Sequence, residues 1–285
     1  MTAAKTLGDR FRIEERIGEG GMGVVYRAFD CKKECLVAVK ALKGEMDSAS
    51  IERFRTEWRV LADLNHPNIV DVLDVGTFFD DGHLRPYFVM PLLRGCTLDK
   101  LITNASPPLT SERIIDIISQ TCRGLQAAHD HGLVHCDLKP SNLFVLSDDA
   151  VKIIDFGIVR LVDAESRIDV RGTPHYMAPE QLDMRPPSAR SDIFSLAVVC
   201  YEALTRQKPF GGSTLEEVVE AIRTRIPPPA WQLNPTTNDN VSKTVQKAMA
   251  KQPYHRFSSA REFSEMLQLS MRNPAKELFP QDKIQ

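Results

Sequence analysis

Net charge is almost absent from this chain: 36 Lys and Arg face 38 Asp and Glu, leaving a formal −2 over 285 residues. Such a balance supplies no general field for nucleic acid or an anionic membrane, so any anion binding must come from a local constellation. Also missing is any C-x-x-C pair. The six cysteines, at positions 31, 35, 96, 122, 136 and 200, follow no regular spacing, which argues against a zinc knuckle or a disulfide framework and for reduced, mostly packing thiols. No apolar run is long enough to span hydrocarbon, since the longest, Ile193 to Leu204, contains Ser195 and Glu202. The opening stretch, Met1 to Arg12, lacks the apolar core of an export signal and has no Gly after Met1 for myristoylation. No repeat and no long low-complexity linker appears. The expectation is a soluble, cytoplasmic, globular protein whose function resides in a site.

What is present is enough apolar residue, 42% of the chain, to build a large core in one sizeable domain or in two lobes sharing a cleft. From Phe11 to Met90, β-branched runs alternate with turns: Phe11 to Ile17, Gly23 to Phe29, Leu36 to Leu42, Ile69 to Phe79 and Tyr87 to Met90. This predicts an antiparallel sheet. One amphipathic helix interrupts it between Ser48 and Leu64, with Ile51, Phe54, Trp58 and Leu61 forming an apolar stripe that also carries Glu57. After Leu92 the period becomes helical and stays so. Helices are predicted at Thr97 to Ile102, Ser111 to His131, Asp192 to Leu204, Leu215 to Arg223, Val241 to Ala250 and Ala260 to Leu269. The run from Asp192 is apolar nearly all round, the mark of a helix buried through the middle of a domain.

Gly18-Glu19-Gly20-Gly21-Met22-Gly23 spells G-x-G-x-x-G, a pattern shared with dinucleotide-binding folds. There the glycines open a helix. Here β-prone Val24-Val25-Tyr26 follows at once, which predicts a hairpin whose backbone approaches phosphates; alone, the run would be a plain glycine-rich turn. Val37-Ala38-Val39-Lys40 puts an amine into an apolar strand, where pointing to solvent is the simple alternative. Glu57, a carboxylate on a core-facing stripe, needs a cation, because an unpaired buried charge costs on the order of 3–5 kcal/mol. Each resolves the other's difficulty. Finally, His135-Cys136-Asp137-Leu138-Lys139-Pro140-Ser141-Asn142, followed by Asp155-Phe156-Gly157, supplies an acid, an amine, an amide and a second acid. Those groups suit a phosphoryl group, its metal ions and an attacking hydroxyl.

Taken together, these segments resemble the eukaryotic-like (Hanks-type) protein kinases, whose catalytic loop has the form H-R-D-L-x-x-x-x-N and is followed by D-F-G. The resemblance implies that Asp137 accepts or orients the substrate hydroxyl's proton and that Lys139 neutralises charge on the transferring group. Asn142 and Asp155 would bind metal, and Lys40 would hold the α- and β-phosphates while Glu57 orients it. ATP would lie against Ile17, Gly18, Gly20, Gly21, Gly23, Val25, Ala38 and Phe144. Met90 falls where the family has its gatekeeper, and the adenine would bond to the Pro91 carbonyl and the Leu93 amide, both of which these residues possess. Gly172 to Glu180 resembles the segment that receives the peptide substrate and ends in A-P-E. Glu180 and Arg256 match an ion pair of the family, and Asp192 matches the residue that braces the catalytic loop. Cys136 departs from the pattern, standing where most members have Arg.

The expected fold is α+β, the bilobal protein-kinase fold, with a small antiparallel sheet lobe carrying one helix and a larger, mainly helical lobe. Its boundaries are expected at 11–270 for the catalytic domain, with the small lobe at 11–90, the hinge at 91–93, the large lobe at 94–270 and a tail at 271–285. Lys139 with Pro140 resembles serine/threonine rather than tyrosine kinases. Ser191 to Leu196 and Asn65 to Val70 look most like bacterial members. The implied activity is transfer of the γ-phosphoryl group of ATP to Ser or Thr of proteins, with Mg²⁺ as cofactor and Mn²⁺ as an alternative ion. Its partners would be ATP and protein substrates, with no nucleic acid. A pseudokinase scaffold would lack Lys40, Asp137, Asn142 or Asp155, and none is missing. A small-molecule phosphotransferase of related fold would lack the A-P-E segment and its Arg, and both are here.

Overall fold

A computed structural model describes residues 6–20, 23–43, 64–80, 83–155, 174–274 and 278–279. They fall into two compact units that divide between Arg94 and Gly95.

The first unit is a six-stranded antiparallel sheet of β1 (Thr6–Leu7), β2 (Phe11–Gly20), β3 (Gly23–Asp30), β4 (Cys35–Leu42), β5 (Asp74–Asp80) and β6 (His83–Pro91), in the order β1-β2-β3-β4-β6-β5. Alternation along β4 divides its side chains between two faces. Val37 and Val39 join Leu7, Phe11, Ala28, Tyr87 and Val89 in one apolar cluster. Ala38 and Lys40 take the other face. The β2–β3 hairpin is the predicted glycine-run hairpin, with Gly18 opposite Val25 and Gly20 opposite Gly23. Gly23 is required by close approach, because a Cβ there would lie 2.3 Å from the Ala41 carbonyl oxygen.

Two features of this unit differ from expectation. The run Ile69 to Phe79 is not one strand: β5 begins only at Asp74, which pairs with Val89. Beyond Val89, strand β6 has only Met90 and Pro91 left, so earlier residues lack a ladder to join. The strand β1 was missed because two residues carry no periodicity. The predicted helix from Ser48, with Glu57, lies outside the described residues.

The second unit opens with β7 (Gly95–Thr97), α1 (Leu98–Asn104) and α2 (Ser111–Asp130), continues through β8 (Leu143–Leu146) and β9 (Val151–Ile153), and then becomes helical. The helices are α3 (Pro179–Leu182), α4 (Ala189–Thr205), α5 (Leu215–Thr224), α6 (Ala230–Leu233), α7 (Asp239–Ala248) and α8 (Ala260–Arg272). As its composition predicted, α4 is the centre: residues from Ile193 to Cys200 other than Ser195 are 0% exposed, and α2, α7 and α8 pack against it. It starts three residues earlier than its apolar pattern, because the Ser188 N–H donates to Ser191 Oγ (3.0 Å) and caps the first turn. Likewise Asn238 accepts from the Val241 N–H at the head of α7. The three-stranded sheet β7-β8-β9 escaped the sequence reading because each strand has four residues or fewer. No described helix is long and apolar enough to cross a membrane.

Candidate active site

The catalytic segment hangs from α4. Buried Asp192 accepts from the His135 N–H through Oδ2 (2.8 Å) and from the Cys136 N–H through Oδ1 (2.9 Å), while His129 Nε2 of α2 lies 2.9 Å from Oδ2. Two backbone amides and an imidazole thus clamp the turn in which Cys136 adopts φ +66°. Gln181 Nε2 of α3 donates to the Cys136 carbonyl (3.0 Å), so the segment ending in A-P-E touches the same turn. Sequence reasoning found Asp192 but not His129 or Gln181, whose roles depend on which helix faces they occupy. His135 is fully buried. Burial pushes its imidazole below the usual histidine range, and its Nδ1 accepts from the Asp137 N–H (3.3 Å), leaving Nε2–H to face the Ile154 carbonyl (3.4 Å).

This scaffold presents the polar groups in one place. Asp137 Oδ2 accepts from Lys139 Nζ (2.8 Å) and, more weakly, from Asn142 Nδ2 (3.4 Å). No described donor bonds to Asp137 Oδ1. The Asn142 Nδ2 also donates to the Asp137 carbonyl (2.8 Å), which turns its Oδ1 the other way, where no described donor bonds to it. Register places the second acid beside it: Leu143 opposes Ile153 across β8 and β9, and the Ile154 N–H donates to the Asn142 carbonyl (2.9 Å). Asn142 and Asp155 therefore share one end of a hairpin, with Asp155 at φ +59°. Among the described residues no three His, Cys, Asp or Glu side chains cluster for a metal. Two hard oxygen donors fit Mg²⁺, which commonly takes one or two protein ligands and completes its shell with nucleotide phosphates and water. Phe144, on β8, is half-buried.

Within the first unit, cross-strand register collects the other expected ATP contacts on one face. Lys40 lies opposite Val25 on β3 and opposite Phe88 on β6, and Ala38 lies opposite Met90. Lys40 is 6% exposed, with Nζ 5.9 Å from the Phe88 ring centroid. Ile17, Gly18 and Gly20 run along β2, Gly23 opens β3, Pro91 ends β6 and Leu93 follows in the connection. Gly21 and Glu57 lie outside the described residues.

Glu180 and Arg256 form the bidentate pair expected from the resemblance, at 2.7 and 2.8 Å. The Arg256 side chain is 0% exposed and also donates to the carbonyls of Ala250, Arg190 and Lys251. Burial pushes the Glu180 carboxyl up, but Arg256 and the Ser191 hydroxyl outweigh it and hold it below the usual range. Its stabilising effect is therefore present above the unfolded carboxylate pKa and lost as pH falls through the lower folded value. Arg256→Met, which strands a buried carboxylate, is expected to cost about 3–5 kcal/mol in urea unfolding. Glu180→Gln should flatten the acid side of the stability curve.

A two-unit chain, with an antiparallel sheet first and a helical unit carrying an Asp-Lys-Asn turn second, belongs to the class of phosphotransferases built like protein kinases. The comparisons narrow this to a family. Residues 11–269 match the protein kinase domain model, and the chain belongs to that family. It is 37% identical over 270 residues to the serine/threonine-protein kinase PknB of Mycolicibacterium smegmatis, covering 92% of this chain and 43% of that protein. It is 40% identical over 266 residues to PknA of Mycobacterium tuberculosis, covering 91% and 61%, and 35% identical to Pkn1 of Myxococcus xanthus, covering 92% and 38%. The chain thus spans about two-fifths to three-fifths of the length of these curated relatives. The PknI kinase domain of Mycobacterium tuberculosis superposes with a TM-score of 0.74 at 25% identity, covering 94% of this chain and 99% of that one.

Proposed function

We propose that this chain transfers the γ-phosphoryl group of ATP to Ser or Thr hydroxyls of proteins, with a domain at 11–270 and a tail at 271–285. The observation that carries the reading is the Asp137–Lys139–Asn142 turn held by Asp192. Asp137 Oδ1, free of any described donor, accepts the hydroxyl proton as the oxygen attacks. Lys139, bonded to the other carboxylate oxygen, places positive charge beside the transferring group. Asn142 Oδ1 and Asp155 would hold Mg²⁺, or Mn²⁺ in its place, and the ion would neutralise phosphate charge when the nucleotide is bound. Lys40 would hold the α- and β-phosphates and take Glu57 as its partner. Ile17, the glycines 18, 20, 21 and 23, Val25, Ala38, Met90, Pro91, Leu93 and Phe144 would enclose the nucleotide. A cytoplasmic location completes the proposal, together with protein rather than nucleic-acid partners, the latter supported by the near-neutral charge.

Acceptor choice separates this reading from a small-molecule phosphotransferase. With Mg²⁺ and ATP, the chain should phosphorylate myelin basic protein and leave aminoglycosides unmodified; the reverse preference would overturn it.

Regulation follows from Cys136. In most relatives the Arg at this position would reach a phosphate on the activation segment. Cys136 is 8% exposed, with Sγ 3.5 Å from the Val134 carbonyl, and a neutral thiol makes no charge-assisted contact. The hydroxyls of the segment 158–177 are Ser166, Thr173 and Tyr176; Ser166 and Thr173 lie outside the described residues. Phosphatase-treated protein is therefore expected to be active from the first minutes, and Ser166→Ala to keep most of its activity. A progress curve with a lag that ends only when Ser166 is phosphorylated would show that another cation replaces the missing Arg.

A further inference from the structure

Lys251, in the turn after α7, is half-buried and has an amine that the phosphoryl-transfer chemistry does not use. Its Nζ donates to the Ile222 carbonyl (2.7 Å) and lies 3.9 Å from the Phe210 ring centroid. Helix α5 ends at Thr224, so the Ile222 carbonyl is one of the last four, which lack an intrahelical donor and carry the negative end of the helix dipole. Phe210 stacks on Phe194 of α4 (5.9 Å, 7° between planes), and the Arg256 guanidinium lies 4.8 Å over the Phe194 ring. Two cations thus bracket two rings. One cation is neutralised by Glu180; the other is Lys251, which feels the like charge of Arg256. Burial beside that guanidinium pushes the Lys251 amine down to about 7, while the ring face and the helix end favour the ammonium.

The same Phe210 carries a second load. His175 Nδ1–H donates to the Phe210 carbonyl (2.9 Å), Tyr176 Oη donates to Glu202 (2.6 Å), and Ser195 Oγ donates to the Tyr176 carbonyl (2.6 Å). The 3₁₀ turn Pro174–Tyr176 therefore rests on the residue that Lys251 grips.

We propose that Lys251 is a positioning residue for the protein substrate: its ammonium pins the end of α5 against Phe210, and Phe210 through His175 sets the backbone of Pro174–Tyr176. This rests on the reading of Gly172 to Glu180 as the segment that receives substrate. The charge, rather than the hydrogen bond alone, is what matters, because a neutral donor would satisfy Ile222 without gripping the ring.

Three variants of the 285-residue chain test it, with myelin basic protein as acceptor. Lys251→Met is expected to raise the KM for that protein roughly tenfold, with kcat and the KM for ATP changed less than about twofold; a tenfold change corresponds to about 1.4 kcal/mol. Lys251→Arg, which keeps cation and donor, should restore the KM to within about threefold of wild type. Lys251→Gln, with a donor but no charge, should behave like Met and serves if the Met variant fails to fold. An unchanged KM in the Met and Gln variants, or an equal rise in the Arg variant, overturns the proposal. His175→Ala separates the two layers: if it raises the KM while Lys251→Met does not, the positioning role alone falls. If neither moves it, the reading of the segment falls with it.

Discussion

Asp137→Asn is expected to lower turnover by roughly 10²–10⁴-fold, the scale of a lost general base, while ATP still binds. The carboxylate accepts from Lys139 Nζ and Asn142 Nδ2 on one oxygen and leaves the other without a described donor. An amide is nearly isosteric but cannot take up the hydroxyl proton. It also presents either a carbonyl of reduced charge or an NH₂ to the Lys139 ammonium. The clamp on the loop backbone comes from Asp192, so the fold should survive, which matching circular dichroism and thermal melting would establish. Single-turnover transfer at the wild-type rate in a preparation free of contaminating kinase would show that Asp137 is not the base.

Asp155→Ala is expected to weaken Mg²⁺-dependent nucleotide binding by roughly 100-fold or more, because it removes the charged member of the proposed metal-ligand pair. The position carries φ +59°, a region that Asp and Asn tolerate better than Ala. Backbone strain in the Ala variant must therefore be separated from loss of charge. Asp155→Asn does so, since it keeps the conformational preference and removes the charge. Titration of a fluorescent ATP analogue with and without Mg²⁺ should show that both variants lose the metal-dependent part of the affinity. Retention of that part in the Asn variant would place the metal elsewhere.

The two sites differ in how they could be read before the fold was seen. Lys40 and Ala38 alternate with Val37 and Val39 along one strand, and the register sets them opposite Phe88 and Met90. Asp137, Lys139 and Asn142 lie within six residues and had to be neighbours. Contacts that depend on two distant elements were legible only through resemblance, as with Glu180 and Arg256, 76 residues apart. Where neither route applied, nothing announced the contact. His129 on Asp192, Gln181 on the Cys136 carbonyl and Lys251 on Phe210 each require knowing which side of a helix or turn faces which neighbour. Element ends erred for a related reason: α4 and α7 start at capping residues, Ser188 and Asn238, that precede their apolar patterns. Cys136 was conspicuous as a departure, but nothing in the sequence announced its left-handed backbone or the hydrogen bond from its N–H to Asp192, through which the main chain ties this turn to α4.

The most direct test of the account is incubation of the chain with γ-labelled ATP, Mg²⁺ and myelin basic protein, followed by acid hydrolysis and separation of the labelled phosphoamino acids. The expected result is label in phosphoserine or phosphothreonine, dependent on Mg²⁺ and reduced to background in the Asp137→Asn variant run in parallel. Label confined to phosphotyrosine, or no transfer by wild-type protein that binds ATP and Mg²⁺, would contradict it.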